Sequence, residues 1–368
     1  MSAFVDRGDR LTPRVSVLLP VYGGAALVGA AVESVLAQTY GDFELLVLDD
    51  ASPDESAAIA EGCGDPRVRV VRNDRNLGQV ATLNRGLREA HGELVARLDQ
   101  DDVCLPERFA HQVALLDAEP EVAVAGTWVD VVDESGRIVH QQRERLDGIV
   151  DVLDSILVNR LPLAHPSVMF RREAVLAAGG YDEAVRYCED MDLWRRLVLA
   201  GRQLRVVPEV LLRYRRHPGQ QSFRHADEQR RNNEAAIERF IAAIAPDTNA
   251  RLIRIAFTRQ LELWRELESE LDAARLAGDL RALLAAYDDR FGLDEGERRE
   301  LERRLRGRIA KAVEGGWRTG LARWGRTSPP LAEFGERRLR YVGTRVVAPV
   351  LALARAAAGR RTIEGESA

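Results

Sequence analysis

Residues 99–102 read Asp99-Gln100-Asp101-Asp102, three carboxylates in four positions at the end of an apolar run. Like charges this close repel, so the group is costly unless a cation sits among them. Oxygen ligands alone suit a hard ion such as Mg²⁺ or Mn²⁺. The same residues also read as a solvated acidic turn whose last aspartate caps the next helix, and taken alone the two readings stand level. Other acids gather elsewhere. Asp49-Asp50 closes a second apolar run, and Glu189-Asp190, with Asp192 just beyond, sits in YDEAVRYCEDMDLWRRLVLA, residues 181–200. His217 lies in the basic loop RYRRHP, residues 213–218, where Arg215 or Arg216 could clamp a phosphate with a guanidinium fork. His165, in HPSVMF, reads as structural.

The elements that must place these groups come early. Val15–Pro20 (VSVLLP), Phe43–Leu48 (FELLVL), Val68–Val71 and Glu93–Leu98 are short, apolar and rich in β-branched residues, the pattern of strands buried on both faces. Helical spacing fills 25–38, 55–62 and 80–90, with Ser52 or Asp54 available to cap the second helix. This β-α-β-α-β-α-β alternation implies a parallel sheet with right-handed crossovers. Ligands bind such sheets outside the carboxyl ends of the strands. Tyr22, Asp49, Asp50, Asn73 and residues 99–102 should therefore share one edge. No GxGxxG follows the first strand and no GxxxxGK[ST] occurs, which removes the dinucleotide and P-loop readings.

Past the acidic cluster the pattern predicts a helix over 108–119, a strand over 122–132 bent at Gly126, and a short strand over 137–141. A helix over 151–159, a strand over 167–170 and a helix over 172–178 ended by Gly179-Gly180 follow. Two short strands, 205–207 and 210–214, flank Pro208. From His225 alternation stops and helices take over, at 228–244, 249–276 and 278–290; residues 301–361 are basic and carry Trp317, Trp324, Phe334 and Tyr341. The fold class is α/β: a Rossmann-like, mixed, mainly parallel sheet flanked by helices over residues 1–224, then a helical region over 225–361 and a disordered tail over 362–368.

The chain of 368 residues has room for one large domain with an extension, or for two domains. A net charge of −5 offers nucleic acid no general attraction. Cys63, Cys104 and Cys188 are scattered and form no CxxC, which fits a reducing compartment and no thiolate metal site. The opening MSAFVDRGDRLTPR has no apolar signal core. No apolar run reaches the ~18 residues that span a bilayer. These features predict a cytoplasmic protein. Its basic, aromatic C-terminal helices could lie peripherally on the inner face of the cell membrane or pack on a partner. The helices over 228–308 are candidates for a homodimer interface.

Over residues 15–222, VSVLLPVY, AVESVLAQTYGDFELLVLDDASPDES, NLG, GELVARLDQDD, GGYDE and CEDMDLWRRL resemble, in order and spacing, the inverting family 2 glycosyltransferases. The resemblance implies the glycosyltransferase A fold and a nucleotide-diphosphate sugar donor. Residues 13–105 would be the nucleotide-binding half and 106–224 the acceptor half. Pro20, Val21 and Tyr22 would line the base pocket, and Asp50, with Asp49, would hydrogen-bond the base, most naturally uracil. Asp99 and Asp101 match the outer residues of the family's DxD motif. Asp99, with Gln100 beside it, would then face the nucleotide, and Asp101 would ligate Mg²⁺ or Mn²⁺. His217 stands where several members place a residue against the metal. Asp190 matches the general base, with Glu189 on the acceptor side and Trp194 either walling the acceptor site or buried in the core. Asp192 is read as structural.

The chemistry agrees with that assignment. Charge builds on the leaving diphosphate, which a divalent ion stabilises. A separate carboxylate, ionised at neutral pH with a reference pKa of about 3.9, removes the proton of the acceptor hydroxyl. Tyr22-Gly23 departs from the usual Tyr-Asn, and QxxRW is absent, so a non-processive enzyme adding one sugar to a saccharide or glycoconjugate is expected. Surface polysaccharide or lipopolysaccharide synthesis is the natural setting. The competing readings are a non-catalytic sugar-nucleotide-binding scaffold and transfer to a polyprenyl phosphate. A sugar-1-phosphate nucleotidyltransferase would need a Gly-rich loop with Arg and Lys, which residues 1–30 lack.

Overall fold

The computed structural model describes residues 12–258, 270–305 and 307–308. The basic aromatic stretch, the C-terminal tail and the middle of the expected 249–276 helix lie outside the described residues. The chain divides into two compact units: one runs to Val152 and resumes over Leu161–Asn233, and the other joins Leu153–Arg160 to the described residues from Glu234 onward.

The first unit is built on a nine-stranded mixed sheet. Its strands are β1 (Val15–Val21), β2 (Phe43–Asp49), β3 (Val68–Arg72), β4 (Leu94–Arg97), β5 (Val103–Cys104), β6 (Val122–Val132), β7 (Ile138–Gln142), β8 (Met169–Arg171) and β9 (Gln203–Arg215). They run in the order β3-β2-β1-β4-β8-β6-β9-β5, with β7 beside β6. β3, β2, β1 and β4 are parallel, as the alternation predicts. Their crossovers are α1 (Val28–Leu36), α2 (Ser56–Glu61) and α3 (Gln79–Glu89). β1 and β2 are buried almost throughout, which is why they read as continuous apolar runs. In register, Val21 faces Asp49 and Asp49 faces Arg72, so the strand ends stand level at one edge. Backbone contacts set this half closely. A Cβ on Gly86 in α3 would come 2.5 Å from Leu48 Cδ1, and one on Gly92, at the turn into β4, 2.5 Å from the Ser16 nitrogen.

The second half is antiparallel at its junction, β8 running against β4 and β6 against β8. β9 is one strand of 13 residues rather than two. Pro208 and Glu209 fall outside the ladder, between Val207 opposite Thr127 and Val210 opposite Trp128. A bulge accommodates a residue that has no N–H to donate, so the strand passes through its proline. The register against β9 shifts between Val122 and Val124 and on both sides of Trp128, while Gly126 pairs regularly with Val206. β5 pairs Val103 with Arg213, a contact too short to show in periodicity. Residues 165–167 form a 3₁₀ turn and the strand begins at Met169. Three further helices complete the frame of the site: α4 (Arg108–Ala118), α6 (Arg172–Ala177) and α7 (Glu189–Leu199), with α5 (Ile149–Leu157) between α4 and α6 in the chain.

The second unit is helical, as composition predicts: Ala250–Thr258, Glu270–Phe291 and residues 295–305 pack with the end of Ala226–Ile244. Ile237, Phe240, Ile253, Leu283, Tyr287 and Leu301 are buried in it. Asp154 is also buried, held at 2.6 Å by Nε and at 2.6 Å by Nη2 of Arg308. Among the described residues no helix is long and apolar enough to cross a membrane.

The turn at Gly92 has backbone, not a flexible side chain, in the way of a Cβ. Gly92→Ala should cost about 1–3 kcal/mol, the range for forced overpacking. Chemical denaturation checks it, and an unchanged midpoint would refute the contact.

Candidate active site

Three strand ends and one helix start build the site. β4 stops at Arg97, and the next residues turn: the Asp102 N–H donates to the Asp99 carbonyl at 3.2 Å. The turn gathers ligand atoms of Asp99, Asp101 and Asp102 within 4.8 Å of one another. Asp99 is half-buried and accepts from Arg97 Nη2 at 2.6 Å. Asp101 Oδ2 lies 3.0 Å from His217 Nε2 and accepts from Gln220 Nε2 at 3.4 Å. Asp102 is buried, and its Oδ1 accepts the Arg215 N–H at 2.8 Å. It does not cap the following helix; Glu107 holds that position before α4. Asp102 Oδ2 is buried with no hydrogen-bond partner. Burial, then the charges of Asp101 and Asp99, push the Asp102 carboxyl well above its ordinary range. Burial also raises Asp99, against the pull of Arg97. An all-oxygen cluster with an orphaned buried carboxylate oxygen fits a divalent cation, whose charge would reverse the repulsion.

At the β1 and β2 ends lies a second polar group. Asp50 accepts from Asn73 Nδ2 at 2.7 Å and the Leu77 N–H at 2.8 Å on Oδ1, and from the Gly78 N–H at 2.9 Å on Oδ2. Asp49 instead turns to its own loop, accepting the Ser52 N–H at 3.0 Å. Gln100 straps the two loops together. Its Oε1 accepts the Tyr22 N–H at 2.9 Å and its Nε2 donates to the Tyr22 carbonyl at 3.3 Å. Gly24 leaves room for this strap, since a Cβ there would collide with Gln100 Oε1. Tyr22 itself is exposed, its ring free beside the cleft. Asp54, not Ser52, serves the start of α2, accepting the Ser56 N–H at 3.1 Å.

The third group opens α7. Asp190 is half-buried, accepts the Met191 N–H at 2.7 Å, and is raised by its burial. Glu189 is buried, with Oε2 unpartnered; burial first and the Asp190 charge second raise it to about 7. Asp192 is structural, as read, accepting from Arg196 Nε at 2.7 Å. Trp194 is a correction. It is fully buried, with ring centroids 6.2 Å from Phe170 and 6.3 Å from His165, and it does not line the cleft. It follows Asp190 by four residues, one turn further along α7, where the helix has passed from the cleft into the core. His165 Nε2 lies 2.9 Å from the Tyr181 hydroxyl, and burial lowers the imidazole far enough to keep it neutral.

All three groups border one cleft of about 720 Å³. Pro20, Val21, Tyr22, Asp50, Asp99, Gln100, Asp101, Glu189, Asp190 and His217 line it; Asp49, Asp102 and Trp194 do not. Arg216 also lines it, its guanidinium 5.0 Å over the Phe223 ring, whereas Arg215 is engaged with the carbonyls of Asp101 and Glu134. Sequence reasoning passed over Arg97, which is fully buried beside Asp99. Its one signal was a charge inside the otherwise apolar Leu94–Leu98.

Residues 16–177 match the family model described as Glycosyl transferase family 2. The chain is 33% identical over 198 residues to the putative glycosyltransferase EpsE of Bacillus subtilis (strain 168), covering 51% of this chain and 68% of EpsE. It is 34% identical over 187 residues to the amylovoran biosynthesis glycosyltransferase AmsE of Erwinia amylovora, covering 50% and 68%. Among solved structures, S. aureus TarS 1-349 in complex with UDP-GlcNAc superposes with a TM-score of 0.54 at 18% identity, over 83% of this chain and 92% of that one. The chain spans 54% of a longer TarS chain. At these identities the likeness shows a shared fold.

Glu189 gives the site a measurable pH signature. Its native carboxyl sits at about 7 against an ordinary 4.5, so the folded state holds the proton more tightly than the unfolded chain. That stabilisation is complete below the unfolded value and is lost as pH rises through the folded one. Glu189→Gln removes the loss. Its melting temperature should gain on wild type from pH 5 to pH 8, and parallel curves in that window would refute the burial assigned to Glu189.

Proposed function

Because this chain belongs to glycosyl transferase family 2 and is a glycosyltransferase, we propose that it transfers one sugar, with inversion, from a nucleoside-diphosphate donor to an acceptor hydroxyl, aided by a divalent cation. One observation carries this reading: a single cleft is lined by Pro20–Tyr22 and Asp50, by Asp99 and Asp101, and by Glu189 and Asp190. The reaction needs three groups in one cleft, a base pocket, a diphosphate anchor and a proton acceptor, and these residues can supply them.

At the first end, Asp50 Oδ2 accepts one protein bond, from Gly78, and a carboxylate oxygen can take a second from a base N–H. Asp101 and His217, with Asp99 beside them, would hold Mg²⁺ or Mn²⁺. When bound, the ion supplies charge for the leaving diphosphate. Arg216 meets the same phosphates with a planar donor fork. At the far end Asp190 takes the acceptor proton as the acceptor oxygen attacks the anomeric carbon and the bond to the diphosphate breaks. Burial makes Asp190 a stronger base than a carboxylate in water. That the TarS fragment was crystallised with UDP-GlcNAc makes a UDP-sugar the first donor to try. AmsE and the O-antigen biosynthesis glycosyltransferase WbnJ of Escherichia coli, 28% identical, point to a surface polysaccharide or glycoconjugate acceptor.

The test is a screen of UDP-, GDP- and dTDP-sugars for binding and metal-dependent hydrolysis. Asp190→Asn should lower transfer by about 10²-fold or more while leaving donor affinity nearly intact. Full turnover by that variant would overturn the assignment of the base. The Gln100 strap predicts a different pattern. Gln100→Ala and Gly24→Ala should each raise the donor KM ~2–10-fold, the worth of a hydrogen bond or two, with a smaller change in kcat. A change in kcat alone would remove the strap from donor binding.

A further inference from the structure

The loop before α7 carries a feature the reaction chemistry does not use. Tyr187 has φ 63°, a left-handed conformation that a bulky residue seldom adopts. Such outliers persist where surrounding structure enforces them, often at ligand sites. Here the enforcement is visible. The Tyr187 ring stacks on His225 with centroids 4.1 Å apart and planes 7° from parallel. One residue earlier, the Arg186 carbonyl accepts from Asn232 Nδ2 at 2.8 Å. The start of the helix Ala226–Ile244 thus holds the loop at two neighbouring points. Of the stacked rings, Tyr187 lines the cleft and His225 does not.

Position decides what such a platform would take. On the transferase reading the nucleotide side has its own aromatic, Tyr22, just after β1. Tyr187 lines the same cleft and precedes Asp190 by three positions, just ahead of α7. The acceptor hydroxyl must reach Asp190, so the ring that bears it has to lie against the residues around Asp190. A pyranose has a face of weakly positive C–H groups, which suits the negative face of an aromatic ring, and a rim of hydroxyls that needs polar partners. Arg224 and Gln229 line the same cleft from the residues just around His225. Apolar surface with a few placed polar groups is the usual make-up of a small-molecule site.

We propose that the Tyr187 ring, backed by His225, is the platform of an acceptor subsite that takes the sugar ring carrying the attacking hydroxyl. The proposal rests on the transferase reading above and adds that the acceptor presents a saccharide to this site. Arg224 and Gln229 hold the rim of that sugar, and Asn232 positions the loop without touching it.

The experiment uses the full chain with whichever of UDP, GDP and dTDP the wild type binds. Methyl glycosides of glucose, galactose, mannose and N-acetylglucosamine are the probes, read by saturation-transfer NMR. Wild type and Tyr187→Phe should bind at least one glycoside. Tyr187→Gly should lose about tenfold or more of that affinity with nucleotide affinity unchanged, and should melt no lower than wild type, since glycine adopts a positive φ freely. His225→Ala should lose less. Two results would overturn the subsite: nucleotide-loaded wild type that takes up none of the glycosides, or Tyr187→Gly that binds them as wild type does. Wild type that binds no nucleoside diphosphate would instead strike at the transferase reading itself.

Discussion

A guanidinium sits fully buried at the end of β4, and the acids of the site are arranged about its charge. Arg97 donates to Asp99 Oδ1 at 2.6 Å and to the Leu98 carbonyl. A buried charge without compensation costs several kcal/mol. Asp99 supplies the nearest compensation, and the attraction extends to Glu189 and Asp190, opposing the rise that burial imposes on both. Arg108 supports the same point of the backbone from beneath, donating to the Arg97 carbonyl at 2.8 Å and the Val168 carbonyl at 2.9 Å. One buried cation therefore serves two acid groups that the chain brings from about ninety residues apart.

The same economy governs the rest of the cleft. Repulsion among Asp99, Asp101 and Asp102 is tolerable because each carboxylate also meets a donor: Arg97, His217 or the Arg215 N–H. Two of those donors belong to β9 or the loop after it, which reaches the acidic turn through the short β5–β9 pairing. Gln100 occupies the middle of the acidic turn yet spends its amide on Tyr22, tying that turn to the loop after β1. The acidic turn and the loop after β1 are thus one mechanical piece.

Much of the fold was legible because burial leaves a periodic trace. β1, β2 and the strand before Asp99 are apolar runs, and their alternation with helices dictated a parallel sheet and its functional edge. The antiparallel half was less legible. β9 passes through Pro208 because it bulges there, with β6 continuing unbroken alongside, and β5 exists only because β9 lies beside it. Neither fact has a local signature, since both depend on a partner strand roughly a hundred residues away in the chain.

At the site, residue types and spacing sufficed to find the acids, since carboxylates in a turn after an apolar strand carry their chemistry wherever they are placed. Asp50, Asp99, Asp101, Glu189, Asp190 and His217 all reach the cleft that their order along the chain suggested. What sequence alone could not assign was direction. Asp49 and Asp50 are neighbours, yet one caps its own loop and the other lines the cleft. Trp194 lies four residues from Asp190 and faces the core, and Asp102 turns inward to the Arg215 N–H instead of capping a helix. Spacing along a chain sets which groups are near one another. Which way each side chain points depends on the packing of distant elements against it, and that was decided only by the tertiary structure.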